Sequence, residues 1–150
     1  MVLSLHKNAV IKLFKEEELV SIKKIWTNGC YDILHVGHIA LFEYAKSLGD
    51  QLIVGIDSDK RVKKLKGEDR PFNCESDRKK MLESIKYIDK VFIFDSQEQM
   101  CNIVRYNSID AIVVGEEYRN SDVTASNLVK DVIYFPKIKG YSTTSILDQK

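Results

Sequence analysis

KIWTNGCYDILHVGHIALFEYAKSLGDQLIVGI, Lys24 to Ile56, holds two short apolar runs on either side of a helical one. Lys24–Asn28 reads as a strand. Gly37–Leu48 reads as a helix, with Leu41, Ala45 and Leu48 on one face and Gly49 as its stop. Gln51–Ile56 is a second strand. A strand, a helix and a strand this closely spaced form a βαβ unit, whose strands are parallel and whose crossover is right-handed.

The alternation continues outward from this unit. Residues 75–88 are helical, with Met81, Ile85 and Ile88 a turn apart; 91–94 form a strand and 97–107 a helix. Residues 111–114 and 131–135 complete the set of strands. Strands apolar throughout belong to a sheet covered on both faces. The expected fold is therefore an α/β, doubly wound, Rossmann-like domain. Its five parallel strands carry helices on both faces. An N-terminal helix over about 8–23 precedes a core over about 24–150, with no linker, repeat or low-complexity stretch dividing them. Ligands of such sheets lie beyond the carboxyl ends of the strands, where the stretch Thr27–His38 leaves the first strand.

Composition narrows the classes. The chain has 150 residues, 44% hydrophobic and 30% charged, with a net charge of +1. No global field draws it to nucleic acid or a membrane, and the basic run Lys60–Lys66 reads as a solvated face. Three scattered cysteines make no disulfide framework and suit a reducing compartment. No apolar run is long enough for a signal peptide or membrane span, so a cytoplasmic protein is expected.

Within Thr27–His38, the pair His35 and His38 admits several readings. Zinc held by Cys30, His35 and His38 lacks a fourth ligand from a C-x-x-C pair. A Cys30 nucleophile lacks an obvious group to orient its base. Taken singly, each histidine reads as a satisfied core or capping residue. Together, His-x-Gly-His at a helix start puts two imidazoles beside unpaired amides that favour an anion, with Gly37 allowing close approach. Neither G-x-G-x-x-G nor a P-loop is present to compete. Near the C-terminus, Ser142, Thr143 and Thr144 read as a helix N-cap, or as hydroxyls for the far end of a polyphosphate.

Four stretches in order, "GCYDILHVGH", "YAKSLGD", "DRKKML" and "YSTTSI", resemble the cytidylyltransferase-like family of nucleotidyltransferases, from about residue 10 to the C-terminus. Two branches of that family compete. "WTNGCYD" and "LKGEDRPFNCESDR" resemble the adenylyltransferase domain that makes ADP-heptose. "SIKYIDKV" and "YFPKIKGYSTT" are closer to glycerol-3-phosphate cytidylyltransferase. The chain departs from the first at Val114, where that branch has lysine, and from the second at Lys137, where arginine is usual. The longer matches favour the heptose branch. No kinase domain accompanies the sequence, so the transferase step alone is expected.

The resemblance implies attack by an acceptor phosphate on the α-phosphate of a nucleoside triphosphate, with pyrophosphate leaving. It casts His35, His38, Lys46 and Arg78 as catalytic phosphate ligands. Asn28, Gly29, Cys30, Tyr31 and Gly37 would contact the nucleotide, and Gly115, Glu117 and Tyr118 its base. Tyr141, Ser142, Thr143 and Thr144 would hold its outer phosphates. Asp32, Lys66 and Lys137 would face the phosphorylated acceptor, with Lys63, Lys64 and Lys66 as a flap or a plain solvated turn. Mg²⁺ would bridge the phosphates, with Asp32 near it through water, and two copies would form a homodimer. A nucleotide-binding regulator without turnover is the contrasting class; the intact His35, His38, Lys46, Arg78 and Thr143 argue against it.

Overall fold

The computed structural model describes residues 22–140. The expected N-terminal helix, apart from its last two positions, and Tyr141, Ser142, Thr143 and Thr144 lie outside the described residues.

The described chain runs β1 (Lys24–Gly29), α1 (Val36–Ser47), β2 (Gln51–Asp57), α2 (Asp59–Lys66), α3 (Glu75–Glu83), β3 (Lys90–Phe94), α4 (Gln97–Tyr106), β4 (Ala111–Gly115) and β5 (Asp131–Phe135), with two short 3₁₀ turns between β4 and β5. The sheet order is β3-β2-β1-β4-β5, and every pairing is parallel. The chain thus winds outward from β1 to β3, then returns to the other side of β1. That reversal puts the switch point at the carboxyl end of β1.

Side-chain alternation along the strands builds a core on each face. Ile25, Leu52, Val54, Ile56, Ala111 and Val113 pack with Phe42 and Ala45 of α1 and Leu82 of α3. Trp26, Ile53 and Ile112 point the other way, onto Phe94 and onto Met100 and Val104 of α4. The fully buried Trp26 indole fits because Gly55 stands opposite on β2, where a Cβ would fall inside its ring.

Two expectations need correction. The helix expected over 75–88 ends at Glu83: Ser84 caps it, and turns closed by Ile85 N–H to Leu82 O and Ile88 N–H to Ile85 O lead into β3. Its inward face carries Arg78 and Leu82, four residues apart, whereas Met81 is largely exposed. The basic run at 60–66 is a helix, started by Ser58, whose Oγ accepts the Arg61 amide at 3.2 Å. Only Val62 of α2 is buried, so most of its lysines are solvated as expected.

Candidate active site

A cleft of about 540 Å³ opens over the carboxyl end of β1, a volume suited to a small-molecule ligand. His35 is the N-cap of α1, in extended conformation, and its carbonyl accepts from the amides of His38 (3.0 Å) and Ile39 (3.3 Å). In return, the His35 amide donates to His38 Nδ1 at 3.3 Å. That bond leaves the proton of neutral His38 on Nε2. The two rings stack with centroids 3.7 Å apart, and both line the cleft with Gly37 between them.

Neither imidazole holds a charge easily here. Burial, the neighbouring His35 and the Lys66 ammonium together lower His38 to about 4. Burial and Lys137 lower His35 as well. In the free protein both are neutral donors at pH 7; a bound polyphosphate would oppose these effects and favour protonation. The first-turn amides of α1 add their partial positive charge to the same spot.

Tyr31 supports this pair from below. Its backbone sits at φ 48°, in the left-handed region that a tyrosine adopts only under constraint. The buried ring meets His38 and Phe42 edge-on at 5.2 and 5.1 Å. Its hydroxyl shares a 3.4 Å hydrogen bond with Thr27 Oγ1, and burial raises its pKa. Tyr31 is therefore a wedge under the histidines as well as a cleft residue. Asn28 also lines the cleft, with Oδ1 accepting from the Trp26 indole N–H at 3.0 Å, which leaves its amide N–H groups as the free end. Cys30 lines the cleft too, but burial raises its thiol pKa, against the pull of Lys66 and Arg78. It is a poor nucleophile in this setting.

On the β2 side the wall carries Asp57, Arg61, Lys66 and Arg70. Asp32, only 2% exposed, accepts from the amides of Phe72 and Asn73 (both 2.8 Å) and from Arg70 Nε (3.0 Å). Burial alone would raise its pKa, but these donors outweigh it and hold the carboxyl below its usual value. Asp32 lines the cleft, as expected of a site residue, and also clasps the 67–73 loop against the β1–α1 loop.

Arg78 also departs from expectation. It is fully buried and does not line the cleft. Nε donates to Asn73 O; Nη1 donates to Cys30 O and Asp57 O; Nη2 bonds Asp59 Oδ1, all within 3.0 Å. The fork ties the loops after β1 and β2 to the start of α3: four of its five N–H groups have protein partners, and the buried side chain does not reach the cleft. Lys46 is displaced further, at the C-terminal end of α1, roughly 12 Å along the axis from His38 at 1.5 Å per residue. There its Nζ binds Asp89 Oδ2 and Asp50 O, both at 2.6 Å, at the opposite end of the sheet from the cleft.

The β4 side carries Gly115, Glu117, Tyr118, Phe135 and Lys137. The Glu117 carboxylate folds back over Gly115, filling the space that a Cβ there would need. Lys137, grouped by sequence with Lys66, stands on this other wall. Val123 and Thr124 of the β4–β5 connection complete it. Arg61, Arg70, Asp57 and Thr124 were not read from sequence. Of these only Arg70, within "LKGEDRPFN", lay in a stretch singled out for its resemblance.

Among the described residues, no group of three His, Cys, Asp or Glu side chains converges to hold a metal ion. Asp32 already accepts from Arg70, Phe72 and Asn73, and Asp57 is paired with Arg61 at 2.6 Å.

The profile of the cytidylyltransferase-like family matches residues 26–148. The chain belongs to that family. Curated relatives support the assignment: the bifunctional protein HldE of Campylobacter fetus is 38% identical over 143 residues, and that of Campylobacter concisus 41% over 143. These matches cover 92% and 91% of this chain, which spans about 30% of the length of those relatives. A lipopolysaccharide core biosynthesis protein from Thermoplasma volcanium superposes with a TM-score of 0.65 at 25% identity, over 79% of this chain and all of its own. The family assignment and these relatives support a nucleotidyltransferase domain. No helix among the described residues is long and apolar enough to cross a membrane.

Proposed function

We propose that the domain joins ATP to heptose 1-phosphate, giving ADP-heptose and pyrophosphate. The observation that carries this reading is the cleft over β1, with His35 and His38 at its floor and two unlike walls. The β4 side offers glycine backbone, the aromatic rings of Tyr118 and Phe135 and the carboxylate of Glu117, groups suited to a base and a ribose. The β2 side is rich in cations, suited to an acceptor phosphate. The sequence match to the ADP-heptose branch and the neighbour's part in lipopolysaccharide core biosynthesis support the heptose acceptor.

An acceptor phosphate oxygen bonds to the α-phosphorus as the bond from that phosphorus to the oxygen bridging to the β-phosphate breaks. Pyrophosphate leaves with that electron pair. The nucleophile is already ionised at neutral pH, so no general base is needed. The barrier falls through positioning and through donors aimed at the growing negative charge. His38 Nε2–H, His35 and the first-turn amides of α1 supply those donors, and Tyr31 holds the rings in place. Mg²⁺ bound to the nucleotide phosphates would neutralise part of their charge. A homodimer belongs to the same proposal.

The second reading, CTP with glycerol 3-phosphate, is favoured by Val114, where the heptose branch carries lysine. A panel of ATP and CTP against heptose 1-phosphate and glycerol 3-phosphate, read by pyrophosphate release, decides. Faster turnover of CTP with glycerol 3-phosphate overturns the heptose assignment.

A further inference from the structure

The two arginines of the β2 side answer differently to the question of which guanidinium can bind a ligand. Arg78, the one marked by sequence, has Nε, Nη1 and Nη2 all bonded to protein. Arg70 donates only its Nε, to Asp32 Oδ2. Its side chain is 23% exposed and lines the cleft. Among the described residues, its two terminal nitrogens have no partner. A guanidinium pinned through Nε presents those nitrogens as a preformed fork, the arrangement that matches two oxygens of a phosphate.

Its anchor makes this a site rather than a surface charge. Asp32 is buried and stays tied to the 67–73 loop by the Phe72 and Asn73 amides, while Asn73 Nδ2 donates to Asp32 O at 2.7 Å. Asp32 also lies three residues before His35 on the same loop. Arg70, His35 and His38 line the same cleft. The other cations of this wall are less suited: Arg61 is engaged with Asp57, and Lys66 is an exposed point charge at the end of α2.

We infer that Arg70 is the bidentate ligand of the acceptor's phosphate, oriented by Asp32 so that a phosphate oxygen faces the nucleotide over His35 and His38. This rests on the nucleotidyl-transfer reading above but not on which acceptor or base is used. The sugar or alcohol portion would then extend past Lys66 and Leu65 toward the cleft mouth.

The test compares wild type with Arg70→Lys and Arg70→Gln. Both are checked by thermal melting, since Asp32 keeps its two backbone donors in either. KM is measured separately for nucleotide and acceptor, with whichever of ATP plus heptose 1-phosphate or CTP plus glycerol 3-phosphate is turned over. Inorganic phosphate is titrated as an inhibitor competing with the acceptor, and its direct binding is followed calorimetrically. Both variants should raise the acceptor KM at least tenfold and weaken inorganic phosphate equally, with the nucleotide KM changed less than twofold. Equal losses for nucleotide and acceptor, or an unchanged acceptor KM and phosphate affinity, overturn the assignment. If wild type turns over neither pair, the transfer reading has failed, and phosphate binding alone then decides Arg70: loss in both variants supports it, retention overturns it.

Discussion

The two ends of the parallel sheet are both lined with charge, and they use it in opposite ways. At the amino ends of the strands, three aspartates each close on a backbone amide at a neighbouring strand's start: Asp50 on Lys23, Asp110 on Lys24 and Asp89 on Leu52. Lys46 and Lys130 then pair with two of those carboxylates. Donors and acceptors match, and the result is a set of staples. At the carboxyl ends, Arg70 and Lys66 keep donors that no described residue takes up, and two stacked imidazoles stay neutral beside helix amides. Function is read from hydrogen-bonding capacity left over, more than from the presence of a charged residue.

The largest expected effect is at Arg78, which lies on the cleft side but behaves like a staple. Arg78→Ala would leave three carbonyl oxygens without their donor and unpair the partly exposed Asp59, at a cost of roughly 3–5 kcal/mol. Urea unfolding measures it; a loss under 1 kcal/mol together with a collapse in turnover would return Arg78 to the phosphates. Next comes His38→Ala, which should lower turnover about 10²-fold or more, as removal of a transition-state donor does, with the fold retained by circular dichroism. Near-normal turnover would reduce the histidine pair to a capping device.

Acid should act through the same ring. His38 titrates near 4 in the folded protein against about 6.5 unfolded. Between those values the unfolded chain binds more protons, so stability falls as pH drops from about 6.5 to 4. The full shift corresponds to about 3 kcal/mol, and solvent screening brings it to roughly 1–3. His38→Gln should flatten that limb of a stability–pH curve; an unchanged slope would place the acid sensitivity elsewhere. The smallest effect is at the amino-end staple. Lys46→Ala should cost about 1 kcal/mol or less, because the Lys46–Asp89 pair is partly exposed, and turnover per folded molecule should stay within twofold. A tenfold fall would bring Lys46 back into the catalytic account.

What sequence showed and what it concealed divide along the same line. The parallel strands and most helices follow local periodicity, and the histidine pair declares itself through the four-residue motif His35–His38. The fates of Lys46 and Arg78 depend on partners far along the chain. Asp89 is 43 residues from Lys46, and Cys30 O is 48 residues from Arg78. A basic residue bound to a distant carbonyl has the same local signature as one bound to a ligand. Arg70 went unread for the converse reason: its Nε anchor, Asp32, is 38 residues away, and nothing near Arg70 marks its other nitrogens as open. The basic run at 60–66 hid a helix because its single buried residue, Val62, leaves almost no apolar face to detect.

The central claim is that the cleft over β1 transfers a nucleotidyl group to a phosphate oxygen. Phosphorus-31 spectroscopy of the products tests it most directly, using ATP with heptose 1-phosphate and CTP with glycerol 3-phosphate in the presence of Mg²⁺. The account predicts that at least one pair yields a new phosphoanhydride joining the α-phosphorus to the acceptor's phosphate. One pyrophosphate should be released per product, and His38→Ala should slow both about 10²-fold or more. No joined product from either pair, or product formed equally well by His38→Ala, would contradict it.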